Sequence, residues 1–263
     1  MRKCIALLAL AGTAGSALAG GTVIGRDIST DTGIFLSRTS NVGPGVFSDG
    51  MILSGWGPGD MFGIAFRGIG GSGLPFAVAD DSVSIFTADT LGIIAEDDFD
   101  PFFGSVDTVN SANPNAVSTA TWSFDISGFT GLEFSADFAA MGDFESSDTH
   151  LFEYQIDGGG WVTLLASSVD EAGSLDYFMD SGTLVTLNDP MLLGGNLLTN
   201  EFQNISAAIA GSGSVLEIRY SAAQDAGSEA FVFRNLEITG VPAPGSLALL
   251  GLGGLAAARR RRV

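Results

Sequence analysis

An all-β chain folded as an antiparallel β-sandwich is what this sequence predicts, and three observations predict it. Bulky apolar residues alternate with polar ones over short runs, the period of a strand with one buried face. The 37 glycines fall mostly in turn-like clusters between those runs, where the chain must bend sharply. No apolar repeat at helical spacing runs through residues 20–240. Those 221 residues are enough to bury one sizeable core as a single domain.

Taken in order, Val23-Ile24 and Ile34-Phe35-Leu36 are short strand candidates, and residues 41–45 are a loop. The turn cluster Gly55-Trp56-Gly57-Pro58-Gly59-Asp60 opens a strand over residues 61–69. Phe62, Ile64, Phe66 and Gly68 take one face of it, and Gly63, Ala65, Arg67 and Ile69 the other. Val83, Ile85 and Thr87 alternate with Ser84, Phe86 and Ala88, and residues 91–95 form another apolar run. Trp122, Phe124 and Ile126 oppose Ser123, Asp125 and Ser127, with Trp122 assigned to the core. Leu132, Phe134, Ala136 and Phe138 repeat the device, and residues 127–131 connect the two runs. Phe152, Tyr154 and Ile156 lead into Asp157-Gly158-Gly159-Gly160 and then residues 161–165, a hairpin signal. Residues 204–210 are expected to make a brief helical turn. Leu216, Ile218 and Tyr220 mark a late strand. In the last strand Phe231 and Phe233 fall on one face and Leu236 and Ile238 on the other, so a bulge is expected near Arg234-Asn235.

Both ends depart from this pattern. Arg2 and Lys3 precede an apolar run, and Ala17-Leu18-Ala19 offers a small-x-small cleavage site, so residues 1–19 read as a signal peptide for signal peptidase. Cys4 lies within it, which leaves the exported domain, residues 20–240, without a disulfide. Residues 241–263 begin with the hinge Val241-Pro242-Ala243-Pro244, continue as an apolar Leu/Ala/Gly run, and finish with Arg259, Arg260, Arg261 and Arg262. As a helix the 13 uncharged residues 246–258 reach about 20 Å, short of the roughly 30 Å hydrocarbon core of a bilayer. A transient membrane handle follows, with the arginines as a stop on the cytoplasmic side and the domain outside.

Two resemblances rest on these residues. The tail resembles the PEP-CTERM sorting tail of exosortase-processed bacterial surface proteins, in which a Pro-Glu-Pro-like motif precedes a short hydrophobic helix and arginines; Ala243 stands here in place of the Glu. That resemblance implies an exosortase-like processing enzyme as partner. It also implies delivery to the cell envelope, cell surface or extracellular matrix. Residues 122–238 resemble jelly-roll modules of the carbohydrate-binding and concanavalin-like kind. The likeness rests on the runs at 125–132, 156–159 and 229–238, where Arg234-Asn235 stands in place of the Asp-Asn common in such modules.

Composition excludes several chemistries. One histidine, His150, which reads as a surface residue, and no mature cysteine exclude His-rich zinc sites and Cys-His nucleophiles. Six of the 11 basic residues lie in the two ends, which leaves five arginines against 30 acidic residues, a formal charge of −25 for residues 20–240. Such a surface repels nucleic acid. Its acidity has two readings, solubility outside the cell or a calcium requirement. The cluster Glu96, Asp97, Asp98 and Asp100 is accordingly either a calcium site or a solvated loop, and Asp80-Asp81 and residues 143–148 are further acidic groups. Trp56, between Gly and Pro, is either a sugar-stacking ligand residue or a loop anchor. No catalytic residue is assigned. The expected function is a structural or adhesive surface protein that binds extracellular polysaccharide; the alternative is a secreted polysaccharide hydrolase with paired carboxylates.

Overall fold

The computed structural model describes residues 21–48, 56–57, 59–68, 73–83 and 90–245. The expected signal peptide, the alternating run at 84–88, the apolar run at 246–258 and Arg259 to Arg262 lie outside the described residues. Strands follow one another as β1 (Thr22–Asp27), β2 (Ser37–Ser40), β3 (Met61–Ala65), β4 (Phe102–Val106) and β5 (Ser118–Asp125). Then come β6 (Phe129–Met141), β7 (Thr149–Ile156), β8 (Val162–Val169), β9 (Ser174–Phe178) and β10 (Leu184–Asn188). The last are β11 (Met191–Leu193), β12 (Asn196–Leu197), β13 (Gln203–Ile209), β14 (Val215–Ala223) and β15 (Ala230–Pro242). One sheet runs β13-β6-β15-β4-β3 with β1 also on β15, a second runs β12-β11-β8-β7-β14-β5-β2, and β9 and β10 pair as a separate hairpin. Every strand pair is antiparallel. The chain crosses between sheets at β5–β6, β6–β7, β13–β14 and β14–β15, the habit of a jelly-roll sandwich.

The alternation read in the sequence builds the space between the sheets. Trp122 and Phe124 on β5, Phe134 and Phe138 on β6, Phe152 on β7 and Tyr220 on β14 are all fully buried. Their rings interlock: Phe103 stacks on Phe233 at 5.0 Å, and Phe152 stands edge-on to Phe233 at 5.1 Å. Each such burial is worth roughly 1.5–3 kcal/mol, so this cluster is the main favourable term in the fold. The short connection at 127–131 carries the chain from one sheet to the other, so β5 and β6 face each other across the core instead of pairing side by side. The β7–β8 hairpin forms as expected, with Asp157 at φ 49° and Gly158 at φ 73° in its turn.

β15 is the central strand. It pairs with β6 along one flank, and with β4 and then β1 along the other. The expected bulge is there: the register with β6 shifts between Arg234 and Glu237, and Asn235 takes φ 53°. The extra residue restores the phase, so Phe231, Phe233, Leu236 and Ile238 all reach the same core.

A second apolar cluster covers the outer face of the β15–β4–β3 region. Val78, Ile93, Ile94, Tyr177 and Met179 pack there against Met61, Ala65, Phe102, Val106 and Val232. This second layer overturns one sequence expectation. β3 stops at Ala65; Phe66 is 47% exposed while Arg67 is 1% exposed, because the chain turns away and Arg67 bonds the Ile94 carbonyl and Asp81. Gly63, at φ 153°, has Val46 O only 2.6 Å from where a Cβ would stand, so no larger residue fits this crossing.

Three further expectations need correction. Ile34-Phe35-Leu36 is exposed and is not a strand; only Ile34 bridges to Arg26, and β2 begins at Ser37. Residues 204–210 are not helical: β13 pairs along β6 with Ile205, Ala207 and Ile209 turned to the core, tertiary pairing overriding the helix propensity of the alanines. His150 is not a surface residue, being 1% exposed. No helix among the described residues is long and apolar enough to cross a membrane.

Candidate functional site

The expected hinge, Val241 to Pro244, begins inside the sheet. Val241 and Pro242 are the last rungs of β15, opposite Thr130 and Phe129 of β6, and the Ala243 N–H donates to the Gly128 carbonyl at 2.8 Å. Val241 and Pro244 are exposed, whereas Pro242 and Ala243 are half-buried. The hinge residues therefore stand at the rim of the sandwich.

The 96–100 cluster already has a protein cation. Arg234 donates to Asp98 Oδ2 at 2.6 Å and lies 3.9 Å from Asp100, with its guanidinium 3.9 Å over the Phe202 ring. Asp97 is exposed and Glu96 half-buried. Asp97, Asp98, Asp100 and Arg234 line an open recess of about 450 Å³.

Trp56 is 9% exposed and belongs to the main core, with one edge on a recess of about 300 Å³ lined by Asn41, Asn113 and Asn115. Those amides are occupied: Asn41 Nδ2 donates to the Val117 carbonyl, and Asn113 Nδ2 donates to Thr108 O and Ser118 Oγ. Trp122 is buried, as expected, and its Nε1–H donates to Asp27 Oδ2 at 2.8 Å. Trp161 is the tryptophan with an accessible ring. It is half-buried beside the β7–β8 turn, with the Arg219 guanidinium 4.0 Å above it. Around it the face of the seven-stranded sheet turned away from the core carries Glu153, bonded by Arg219, and Gln155, which donates to Glu217.

A third group was not assembled from sequence. Glu145, Asp148 and Glu229 bring carboxylate oxygens within 4.8 Å of one another. The Glu145 N–H donates to Asp148 Oδ2 at 2.8 Å, and Gln224 Nε2 donates to the Glu229 carbonyl at 2.7 Å. Burial first, then the charges of Asp148 and Glu145, pushes the Glu229 carboxyl up to about 9, while burial and then Asp148 raise Glu145. Residues 143–148 stood out as acidic in the sequence, but Glu229 lies 81 positions beyond Asp148, and nothing local pairs them. Nearby, burial pulls the His150 imidazole down to about 3; its Nδ1 lies 2.7 Å from the Tyr220 hydroxyl and its ring stacks on Phe231 at 4.2 Å.

No curated protein matches the chain in sequence. Among solved structures, the K2 cleaved adhesin domain of Lys-gingipain is similar over 53% of this chain and 72% of its own, at 8% identity and a TM-score of 0.29. The CBM22-1 xylan-binding domain of Paenibacillus barcinonensis Xyn10C is similar over 54% and 83%, at 8% identity and a TM-score of 0.21. The CBM22-1–GH10 modules of Clostridium thermocellum xylanase 10B are similar over 55% of this chain and 22% of that one, at 12% identity and a TM-score of 0.27. Likeness at this level does not extend to a ligand or an activity. The hinge fixed at the rim of β15 is different, because there the match is to a named sequence element: residues 240–262 carry the PEP-CTERM protein-sorting motif.

Proposed function

We propose that this is an exported, non-catalytic surface or matrix component of structural and adhesive character, delivered by its sorting motif and processed by an exosortase-like enzyme. The observation that carries the reading is the placement of that motif. It begins at Gly240, inside the central strand, so whatever holds the tail holds the sandwich directly with no linker between them. In this reading residues 1–19 are removed by signal peptidase, and residues 246–263 engage the membrane until processing.

Polysaccharide is the proposed adhesive partner. The polar outer face of the seven-stranded sheet, with Trp161, Arg219, Glu153 and Gln155, offers an aromatic plane ringed by hydrogen-bonding groups, the combination that sugars favour. The buried trio does not favour hydrolysis: Asp148 and Glu229 are 3% and 1% exposed, closed to a sugar ring.

The deciding experiment takes protein from the native cell surface, measures its intact mass, and applies the same material to a panel of extracellular polysaccharides. Loss of Arg259 to Arg262 and binding without turnover are expected, with binding weakened about tenfold in Trp161→Ala, the scale of one lost aromatic contact. A surface product that retains the four arginines overturns the sorting reading. Release of sugar fragments overturns the non-catalytic one.

A further inference from the structure

We propose that Glu145, Asp148 and Glu229 form a divalent-cation site that takes calcium and ties the loop after β6 to the head of β15. The argument starts from unmet electrostatics. Asp148 Oδ1 and Glu229 Oε2 are buried and have no hydrogen-bond partner, in residues 3% and 1% exposed. A buried carboxylate oxygen without a donor or counter-charge costs several kcal/mol, and here two of them converge.

Among the described residues no basic side chain is paired with this group. Its five arginines among the described residues are committed elsewhere: Arg26 to Asp31, Arg38 to Asp27, Arg67 to Asp81, Arg219 to Glu153, and Arg234 to Asp98. No lysine lies between residues 20 and 263. His150, two residues along, turns its Nδ1 to Tyr220. What remains is a set of three carboxylates whose oxygens lie within 4.8 Å of one another, close enough for a single ion to bridge.

The donor set names the ion class. All three groups are hard oxygen ligands, with no thiolate and no imidazole in the set, which suits calcium or magnesium and not zinc or copper. Gln224 adds a neutral oxygen to the neighbourhood. Its Nε2 donates to the Glu229 carbonyl, it is 1% exposed, and its Oε1 also lacks a partner. Glu145 is exposed, so an ion has an entry side with room for water ligands, and calcium's flexible coordination fits an irregular donor set that magnesium's strict octahedron does not.

The consequence is local closure. Glu145 and Asp148 lie between β6 and β7, whereas Glu229 immediately precedes β15. The two segments already touch: a Cβ on Gly142 would stand 2.6 Å from Glu229 Cγ. A cation there joins the connection between the two sheets to the strand that runs on into the sorting motif.

The test uses the purified full chain, stripped with chelator and titrated with calcium chloride by calorimetry and thermal unfolding. One calcium per chain is expected, with a dissociation constant on the order of 10⁻⁴ M, the range of extracellular modules, and a melting temperature several degrees higher at saturation. Glu229→Gln is expected to abolish both effects, and to melt no lower than the wild type in chelator, because without a cation the buried carboxyl has no partner to lose. Glu145→Gln, at the exposed side, leaves the buried pair in place and is expected to bind about tenfold more weakly. A triple variant Glu96→Gln, Asp97→Asn, Asp98→Asn is expected to keep the full calcium response. No calcium uptake by the folded wild type, or uptake lost in the triple variant and kept in Glu229→Gln, overturns the site. Every readout is made on isolated protein, so its outcome is independent of whether the tail is processed in cells.

Discussion

Asp27 closes β1 and reaches across the core to the opposite sheet, where its Oδ2 accepts the Trp122 indole N–H at 2.8 Å and the Arg38 guanidinium at 3.1 Å. Asp27 is 7% exposed and Trp122 fully buried, so neither has water as a substitute partner. In Asp27→Ala the indole N–H is left buried and unpaired, which costs about 1–3 kcal/mol. The Arg38 side chain is 25% exposed, so its loss adds only about 0.5–1 kcal/mol after solvent screening. The sum predicts that Asp27→Ala unfolds about 1.5–4 kcal/mol more easily. Asp27→Asn keeps an oxygen for the indole and is expected to lose about 1 kcal/mol, most of it the charge seen by Arg38. Urea unfolding of the two variants at fixed calcium measures both. A double-mutant cycle with Trp122→Phe isolates the contact, with an expected coupling of about 1–2 kcal/mol. Equal losses for Ala and Asn, or strictly additive effects in the cycle, would refute the assignment of Asp27 as the tie between the sheets.

Two further positions probe the backbone and its charges. Asp107 has its carboxyl pushed up to about 6, first by burial and then by Asp60 and Asp225. The folded chain therefore holds that proton more tightly than the unfolded chain, whose value is 3.8; the penalty is absent below pH 3.8, grows through the interval and is complete above about 6. Asp107→Asn should then stabilise by on the order of 1 kcal/mol at pH 7, after screening, and add little at pH 3.5; a gain of the same size at both pH values would assign it to the φ of 42° at this residue instead. At Asn235, Gly and Val both lose the bond to Asp137, but only Val meets the φ of 53° with a branched side chain. Val should be about 1–2 kcal/mol less stable than Gly in thermal unfolding, and equality of the two would mean that the bulge relaxes.

The parts of this fold legible in the sequence are those set by near neighbours. Residues 122–126 and 132–138 declare their buried faces by alternation, Asp157-Gly158 declares its turn, and the phase change across Arg234-Asn235 declares the bulge. His150 was legible too, since it shares the parity of Phe152 and Tyr154, both buried; its polarity concealed what its position showed. Phe66 and Arg67 exchange their expected places because the second apolar layer packs from residues 73–83, 90–100 and the β9–β10 hairpin, none of which advertises its partner. β13 hid behind helix-favouring alanines, and only the free edge of β6 makes it a strand. The acidic trio is the extreme case. Glu145, Asp148 and Glu229 meet only because two inter-sheet connections end side by side, and no spacing rule along the chain encodes that.

The central position of β15 has a mechanical meaning. A load applied at the C-terminal end of β15 enters the domain along the axis of a strand flanked on both sides, by β6 on one and by β4 and β1 on the other. Pulled that way, the rungs of the ladders are strained together in shear instead of opening one after another as at a peeled edge. A molecule held at that end and dragged by flowing liquid would thus bring its most heavily paired strand against the force.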